Sequence, residues 1–152
     1  PGAARGPRRA YELGLEGYCA ALDDFGLAVD EDLLIACEWT ADAAAAAMDG
    51  YLARTTTLPD GMFAMNDSSA LGALPVLHDR GIRVPQDLAI VGFDDIAEAS
   101  RSIPSLSSVA PALDEIASAA LELIEEQFAG SADGAPSHRV TGFELRVRQS
   151  SS

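Results

Sequence analysis

Two apolar runs in this sequence are each followed at once by amide or carboxylate side chains. The run that starts at Gly61 is followed by Asn66, and the run that starts at Leu88 is followed by Asp94 and Asp95. Such near-continuous apolar runs are typical of strands covered on both faces of a parallel sheet. Polar groups just past the carboxyl ends of these strands line the crevice where ligands bind. We therefore predict a small-molecule site in which Asn66 and Asp94 hold hydroxyl groups, while Asp95 orders the loop.

The stretches around these runs supply the elements that would position the site. The apolar spacing predicts a crossover helix over Ser68–Arg80, in which Pro75 should kink or loosen one turn. Strands that alternate with helices indicate an α/β fold with a doubly wound parallel sheet. The other expected elements are a helix over Arg9–Phe25, a strand over Leu33–Cys37, a helix after the N-cap Thr40, a strand over Ser107–Ala110, a helix over Ala112–Phe128, a strand over Val140–Val147 and a short tail.

The composition bounds the class of protein. The chain has 152 residues, of which 48% are hydrophobic and 22% charged, values typical of one globular domain with a core. Its net charge is −14 and it contains no lysine, so this segment offers no basic face for nucleic acid, no Walker-type phosphate loop and no Schiff-base lysine. No run approaches the ~20 apolar residues of a membrane span, and the N-terminus has no apolar signal core. We expect a cytoplasmic segment without a membrane partner.

No combination of side chains in the sequence points to catalysis or to a bound metal. Cys19 and Cys37 have neither CxxC nor zinc spacing, and we interpret them as reduced core residues. His78 and His138 are far apart in the sequence and are expected at the surface. Because no nucleophile–base pair is evident, the sequence favours a binding protein without a cofactor over an enzyme.

The most informative block is FAMNDSSALGALPVLHDRGIRVPQDLAIVGFDD, preceded by LEGYCAAL and followed by PSLSSVAPALDEIASAALELI and ELRVRQS. Together these segments closely resemble the effector-binding domain of lactose-repressor-type (LacI/GalR) transcriptional regulators, from Glu16 to Ser150. The resemblance implies the two-lobed type I fold of periplasmic sugar-binding proteins, with a sugar or nucleobase effector between the lobes. It also implies a homodimer, and operator DNA bound by a separate helix-turn-helix domain that is absent from this sequence.

On this resemblance the chain is the C-terminal part of the effector-binding domain. Residues 1–111 would form the C-terminal lobe, residues 112–130 a helix that belongs with the N-terminal lobe, residues 138–148 the returning last strand, and residues 149–152 a tail. The apolar stripe of that helix would lack its usual partner. We expect the helix to dock on another chain or, in an unusual way, on its own lobe.

The resemblance also assigns roles to single residues. Asn66 and Asp94 match ligand-contacting positions, although Asn66 would serve as well as a turn or cap residue. Trp39 matches a position where an aromatic ring stacks on the ligand, with core packing as the alternative. Arg8 corresponds to a polar contact in purine-sensing members, and Asp67 is expected to cap the helix that follows it.

Other implied positions lie outside the crevice. Leu113 and Ile116 match residues that close the pocket from the other lobe, and a core stripe explains them equally well. The dimer interface of the family corresponds to Leu71, Ile103 and Pro104.

One departure from the family concerns Gly14. The family commonly has an arginine three residues before the glycine that matches Gly17, and here that position is Gly14. A usual clamp for hydroxyl or carboxylate groups is therefore absent, so the effector should differ from a typical simple sugar or bind weakly. Two other functions stay open, namely an exported sugar-binding protein of a transporter and an enzyme on the same fold.

Overall fold

The structure is a computed structural model, and it describes residues 10–128 and 138–152. Within these residues, helices and strands alternate over most of the chain, and the predicted α/β class is confirmed. The long helices and the strands, in chain order, are α1 (Ala10–Asp24), α2 (Ala41–Arg54), β1 (Gly61–Phe63), α3 (Asp67–Asp79), β2 (Ala89–Phe93), β3 (Ser107–Pro111), α4 (Leu113–Phe128) and β4 (Phe143–Arg146).

The strands form one sheet in the order β1-β2-β3-β4 across the described residues. β1, β2 and β3 run parallel, with Met62 opposite Ile90 and Gly92 opposite Ser108. β4 departs from the predicted parallel arrangement, because it pairs with β3 in the antiparallel direction. The parallel part places the carboxyl ends of β1 and β2 at one edge of the sheet, and this edge carries the candidate site.

The core lies between α2, α3 and the sheet. The two helices pack against each other, and α3 also packs on β2. The contact between the helices depends on Gly72, since a Cβ there would lie 2.1 Å from the carbonyl oxygen of Ala41. The largest core side chains from the two helices and the sheet region are Met48, Tyr51, Leu74, Leu77, Leu88, Ile90 and Leu106.

The predicted strand over Leu33–Cys37 is wrong. Asp30 accepts a hydrogen bond from the Asp32 amide at 3.0 Å and starts a 3₁₀ turn over Glu31–Leu33. The rest of the run is neither helix nor strand, and only its Ile35 packs partly against the core. An apolar run indicates that a segment tends to be buried, but whether it forms a strand depends on a pairing partner elsewhere in the chain.

Side-chain caps precede helices α2 and α3. Thr40 caps α2 as predicted, because its Oγ1 accepts from the Ala43 amide at 3.3 Å. The cap of α3 is Asn66, whose Oδ1 accepts from the Ser69 amide at 2.8 Å, and not Asp67. Pro75 lies inside α3 without ending it.

The residues after β4, expected as a tail, pack against the sheet. Ser150 is fully buried, and its carbonyl oxygen accepts from the Ile90 amide at 2.8 Å. Its hydroxyl donates back to the Ile90 carbonyl oxygen at 2.6 Å, and the Ser107 amide donates to that hydroxyl at 2.8 Å. The short C-terminal segment therefore joins β2 to β3.

Helix α4 and the two histidines lie at the surface of the described structure. No residue of α4 is buried in the described structure, and its Phe128 is 89% exposed. The two histidines are exposed as expected, whereas Cys19 and Cys37 are free but only half-buried, not core residues. Among the described residues, no helix is long and apolar enough to cross a membrane.

Candidate ligand-binding site

The two residues at the centre of the predicted site lie at the same edge of the sheet. The Ala64 amide donates to the Val91 carbonyl oxygen at 2.9 Å, which ties the end of β1 to β2 just before Asn66. The Asp94 amide donates to the Val109 carbonyl oxygen at 3.0 Å, which ties the end of β2 to β3. Asn66 and Asp94 therefore lie in the loops that leave two adjacent parallel strands.

The Asn66 side chain makes two hydrogen bonds within the protein. Its Oδ1 caps α3, and its Nδ2 donates to the Trp39 carbonyl oxygen at 3.2 Å. A side-chain amide has two donor hydrogens and an oxygen with two lone pairs, so Asn66 keeps one donor and one acceptor position. The cap and ligand roles of Asn66 are compatible, because each uses a different half of its hydrogen-bonding capacity.

Trp39 lies beside Asn66 through that backbone contact. The Trp39 side chain remains 45% exposed, so core packing does not account for it. An exposed indole ring offers an apolar face on which a sugar or base can stack. The ring is thus available for the predicted stacking role.

Asp94 sits in an unusual backbone conformation at this edge. Asp94 has φ +107° and Asp95 has φ +51°, values that residues with a Cβ rarely adopt. The Asp94 side chain is exposed, yet burial of part of the carboxyl raises its pKa above the usual range, and the nearby charge of Asp67 raises it further. Among the described residues no donor makes a hydrogen bond to this carboxylate, and ligand hydroxyl groups can supply such bonds.

Asp67 is the site residue that the sequence did not reveal. Its carboxylate is fully buried and accepts from the Ser108 hydroxyl at 2.7 Å and from the Ile96 amide at 2.9 Å. A Cβ on Gly92 would lie 2.1 Å from Asp67 Oδ1, so a glycine on β2 makes room for the carboxylate. The sequence shows only an acidic residue at a helix start, which is the normal signal for a cap. Its partners come from β3 and from the loop after β2, which sequence order does not bring together.

Asp95 has the loop-ordering role predicted for it. Its amide donates to Ser108 Oγ at 3.0 Å, and its carboxylate accepts from Arg148 Nη2 at 2.6 Å. The turn after β2 is therefore held through both its backbone and its second aspartate.

The Gly14 position is closely packed. A Cβ on Gly14 would lie 2.6 Å from the sulfur of Met65, the residue that precedes Asn66. A larger side chain at position 14 would require the methionine to move. The apolar thioether thus takes the space next to α1 where the family resemblance led us to look for an arginine.

Residues 6–151 match the model of a family described as the periplasmic binding protein-like domain. The chain belongs to this family. The transcriptional regulator AscG of Escherichia coli K12 is 40% identical over 95 residues, which are 62% of this chain and 28% of AscG. This relative is named a helix-turn-helix-type regulator, in agreement with the resemblance to LacI-type proteins.

Solved structures of similar regulators have the same fold. A LacI-family regulator from Sanguibacter keddieii has a TM-score of 0.83 and 41% identity, covering 91% of this chain and 52% of that protein. A complex of the regulator CelR with cellobiose has a TM-score of 0.81 and 34% identity, covering 90% of this chain and 41% of that one. The chain thus spans about half, or less, of the length of these proteins.

The other predicted site residues are not brought together with Asn66 and Asp94 by any described contact. Leu113 and Ile116 are on α4 and are 65% and 42% exposed in the described structure. Among the residues expected at the dimer interface, Ile103 is 94% exposed, and Leu71 packs partly against the core. Pro104 is half-buried. Arg8 lies outside the described residues.

Within the part of the chain that the structure describes, no group of histidine, cysteine and acidic residues could hold a metal ion. A cavity of about 230 Å³ opens at a different place, before β1 rather than after it. Its lining residues are Leu52, Thr55, Thr56, Leu58, Arg80 and Ile82. In this periplasmic binding protein-like domain, the candidate site is instead an open edge formed by Trp39, Asn66 and Asp94.

Proposed function

We propose that this chain is the C-terminal part of the effector-sensing domain of a LacI-type DNA-binding transcriptional regulator. Its effector is a sugar or a nucleobase-like molecule, and the chain is neither an enzyme nor a holder of a cofactor. The observation that carries the proposal is the shared edge at which Trp39, Asn66 and Asp94 offer an aromatic face, an amide and a carboxylate. The cellobiose complex of the similar regulator CelR supports a ligand of this class.

The effector would lie between this lobe and a second lobe. On this proposal residues 1–111 form the C-terminal lobe, residues 112–130 pass to the other lobe, and residues 138–148 return. The exposure of Leu113 and Ile116 supports their role in closing the pocket from the far side. Arg8 would add a polar contact near the cleft.

Regulation then follows from a difference in affinity. An effector that binds the closed arrangement more tightly than the open one shifts the population toward closure, and the shift repositions the DNA-binding heads. The regulator would be a cytoplasmic homodimer whose interface includes Leu71, Ile103 and Pro104. Operator DNA would bind to the helix-turn-helix domain, since this acidic segment has no lysine.

The proposal is tested by titrating the chain with cellobiose and, separately, with adenosine. Binding is followed by calorimetry and by the fluorescence of Trp39, the only tryptophan. Because about half of the two-lobed protein is outside this chain, we expect weak binding, in the millimolar range that corresponds to about 4 kcal/mol. Asp94→Asn should weaken it about tenfold or more, because a charged acceptor is lost. Asp79→Asn, at the end of α3, is the matched control and should bind as the wild type does.

Two outcomes would contradict the proposal. One is no response to either compound up to tens of millimolar, and the other is unchanged affinity in Asp94→Asn. The alternative, a sugar-binding protein of a transporter, predicts the same binding. It is separated by the sequence that precedes Pro1, where a helix-turn-helix supports the regulator and a signal peptide with a lipobox supports the transporter.

A further inference from the structure

The turn that presents Asp94 is held by a residue far away in the sequence. Arg148 follows β4, and its side chain is directed at the loop after β2. Arg148 Nη1 donates to the Leu106 carbonyl oxygen at 2.7 Å, and Nη2 donates to Asp95 Oδ1 at 2.6 Å. The guanidinium thus joins the residues before β3 to the residue next to Asp94.

We infer that Arg148 is a positioning residue of the candidate site, which holds the Asp94–Asp95 turn in its ligand-facing conformation through Asp95. The inference rests on the proposed role of Asp94 in ligand binding. The backbone gives the physical reason. Two successive residues with φ values of +107° and +51° are disfavoured without outside contacts, so the surrounding bonds must hold them.

Besides the bond from the Asp94 amide to the Val109 carbonyl oxygen, three bonds from separate parts of the described chain hold the turn. Asp67 at the start of α3 accepts from the Ile96 amide, and Ser108 on β3 accepts from the Asp95 amide. Arg148 supplies the contact to the Asp95 side chain, with its own side chain 21% exposed and the Asp95 side chain 23% exposed. A charge-assisted bond at such a partly buried place is much stronger than an ion pair in open solvent.

The side chain and the backbone of Arg148 make hydrogen bonds to different residues. The Arg148 amide donates to Ser107 Oγ at 2.7 Å, and the Ser107 hydroxyl donates to the Arg148 carbonyl oxygen at 3.1 Å. These bonds anchor the C-terminal segment whatever side chain stands at position 148. Replacing the guanidinium therefore tests the turn while it leaves the anchor of the segment in place.

The neighbouring Arg146 does not duplicate this contact. Its Nε is 3.9 Å from Asp95 Oδ2, and its Nη2 pairs with Glu144 at 3.0 Å instead. Arg146 is half exposed, so its attraction to Asp95 is screened by water. The turn thus depends on Arg148 alone for a direct arginine hydrogen bond among the described residues.

The test compares Arg148→Gln, Arg148→Lys and the wild type by amide hydrogen exchange and by the cellobiose and adenosine titrations. In Arg148→Gln, the amides of Asp95 and Ile96 should exchange about tenfold faster or more, in line with the loss of a hydrogen bond between charged groups. The affinity for the ligand should fall by a similar factor. Arg148→Lys should restore amide protection and ligand affinity in part, because lysine keeps the positive charge. The restoration should be incomplete, because one ammonium group does not reproduce the two hydrogen bonds of the guanidinium.

The reference amides are those of Ala64, which directly follows β1, and of Leu77 in α3, and neither belongs to the turn. Their exchange should change less than about twofold in both variants. Arg80→Gln, which removes an exposed arginine paired with Asp49, is the control for the loss of one positive charge. It should leave the turn and the ligand affinity unchanged.

The outcomes separate the two proposals. The inference is overturned if the turn amides keep their protection, if all slow amides accelerate together, or if the turn loosens while ligand affinity stays the same. If Arg148→Gln does not fold, the same comparisons are made with Arg148→Lys. If the wild type binds neither compound, that result counts against the proposed function. The exchange pattern then decides alone, a local acceleration supporting the role of Arg148 and a uniform or absent one overturning it.

Discussion

Replacing Asp67 with alanine should strongly destabilise the protein, although the residue lies next to the candidate site rather than in the hydrophobic core. The carboxylate is fully buried and accepts hydrogen bonds from the Ser108 hydroxyl and the Ile96 amide. In Asp67→Ala both donors lose their acceptor. The alanine side chain is too small to fill the space, and water must enter or the donors stay unsatisfied.

The magnitude follows from these two bonds. A hydrogen bond to a charged group contributes about 1.5–3 kcal/mol, so the two together give roughly 3–6 kcal/mol. Removal of a buried charge also relieves its desolvation, and for this reason we expect a loss of about 3–5 kcal/mol in the free energy of unfolding. For a chain of this size, that loss lowers the melting temperature by roughly 6–20 °C.

The assay is urea denaturation followed by circular dichroism and by Trp39 fluorescence. Asp42→Ala is the control, because Asp42 is also an acidic residue in the first turn of a helix but is exposed. It should cost no more than about 1 kcal/mol, the contribution of a charge near a helix N-terminus. A double-mutant cycle of Asp67→Ala with Ser108→Ala should give a coupling of about 1–3 kcal/mol.

A small effect would refute this reasoning. If Asp67→Ala costs no more than Asp42→Ala, the buried network does not stabilise the fold. If the two substitutions Asp67→Ala and Ser108→Ala are additive, the hydrogen bond between these side chains makes no measurable contribution.

Two further predictions concern the helix contact and the charge at the site. Gly72→Ala should destabilise by about 1–3 kcal/mol, because its Cβ would lie 2.1 Å from the backbone oxygen of Ala41; Gly50→Ala, whose Cβ meets no described atom within 4 Å, should be neutral or stabilising in the same denaturation assay. Asp94→Asn should be more stable than the wild type at pH 7, by less than about 1 kcal/mol. Burial and the charge of Asp67 raise the pKa of the Asp94 carboxyl in the folded protein. The wild type therefore loses stability as the pH rises through that pKa, whereas the asparagine variant does not. The difference in stability between the two proteins should vanish toward about pH 3, where the aspartic acid and the asparagine are both neutral. A wild type that is more stable than Asp94→Asn at pH 7 would contradict the raised pKa of Asp94.

The sequence was sufficient to predict the elements that form the sheet and its covering helices. Local spacing and caps determine these elements, as the Thr40 cap and the apolar run of β2 illustrate. It was insufficient for the strand over Leu33–Cys37 and for the direction of β4. Both depend on which neighbour a segment pairs with, and the apolar pattern of one segment contains no information about its neighbour.

Part of the candidate site was predictable for the same reason. Asn66 and Asp94 come shortly after the ends of β1 and β2, so their common edge could be inferred from order alone. The supporting contacts were not predictable, because Arg148 is 53 residues from Asp95 and Asp67 is 41 residues from Ser108. Residues at such separations meet only when the sheet has formed.

Asp67 both helps to hold the turn after β2 and makes the charged form of Asp94 less favourable. Asp67 accepts hydrogen bonds from the Ile96 amide and the Ser108 hydroxyl, and its charge also raises the pKa of Asp94. The fold therefore keeps Asp94 in an unfavourable backbone conformation and beside a like charge. A ligand that donates hydroxyl groups to Asp94 would relieve part of this cost. Such an arrangement is expected of a group kept for binding rather than for stability.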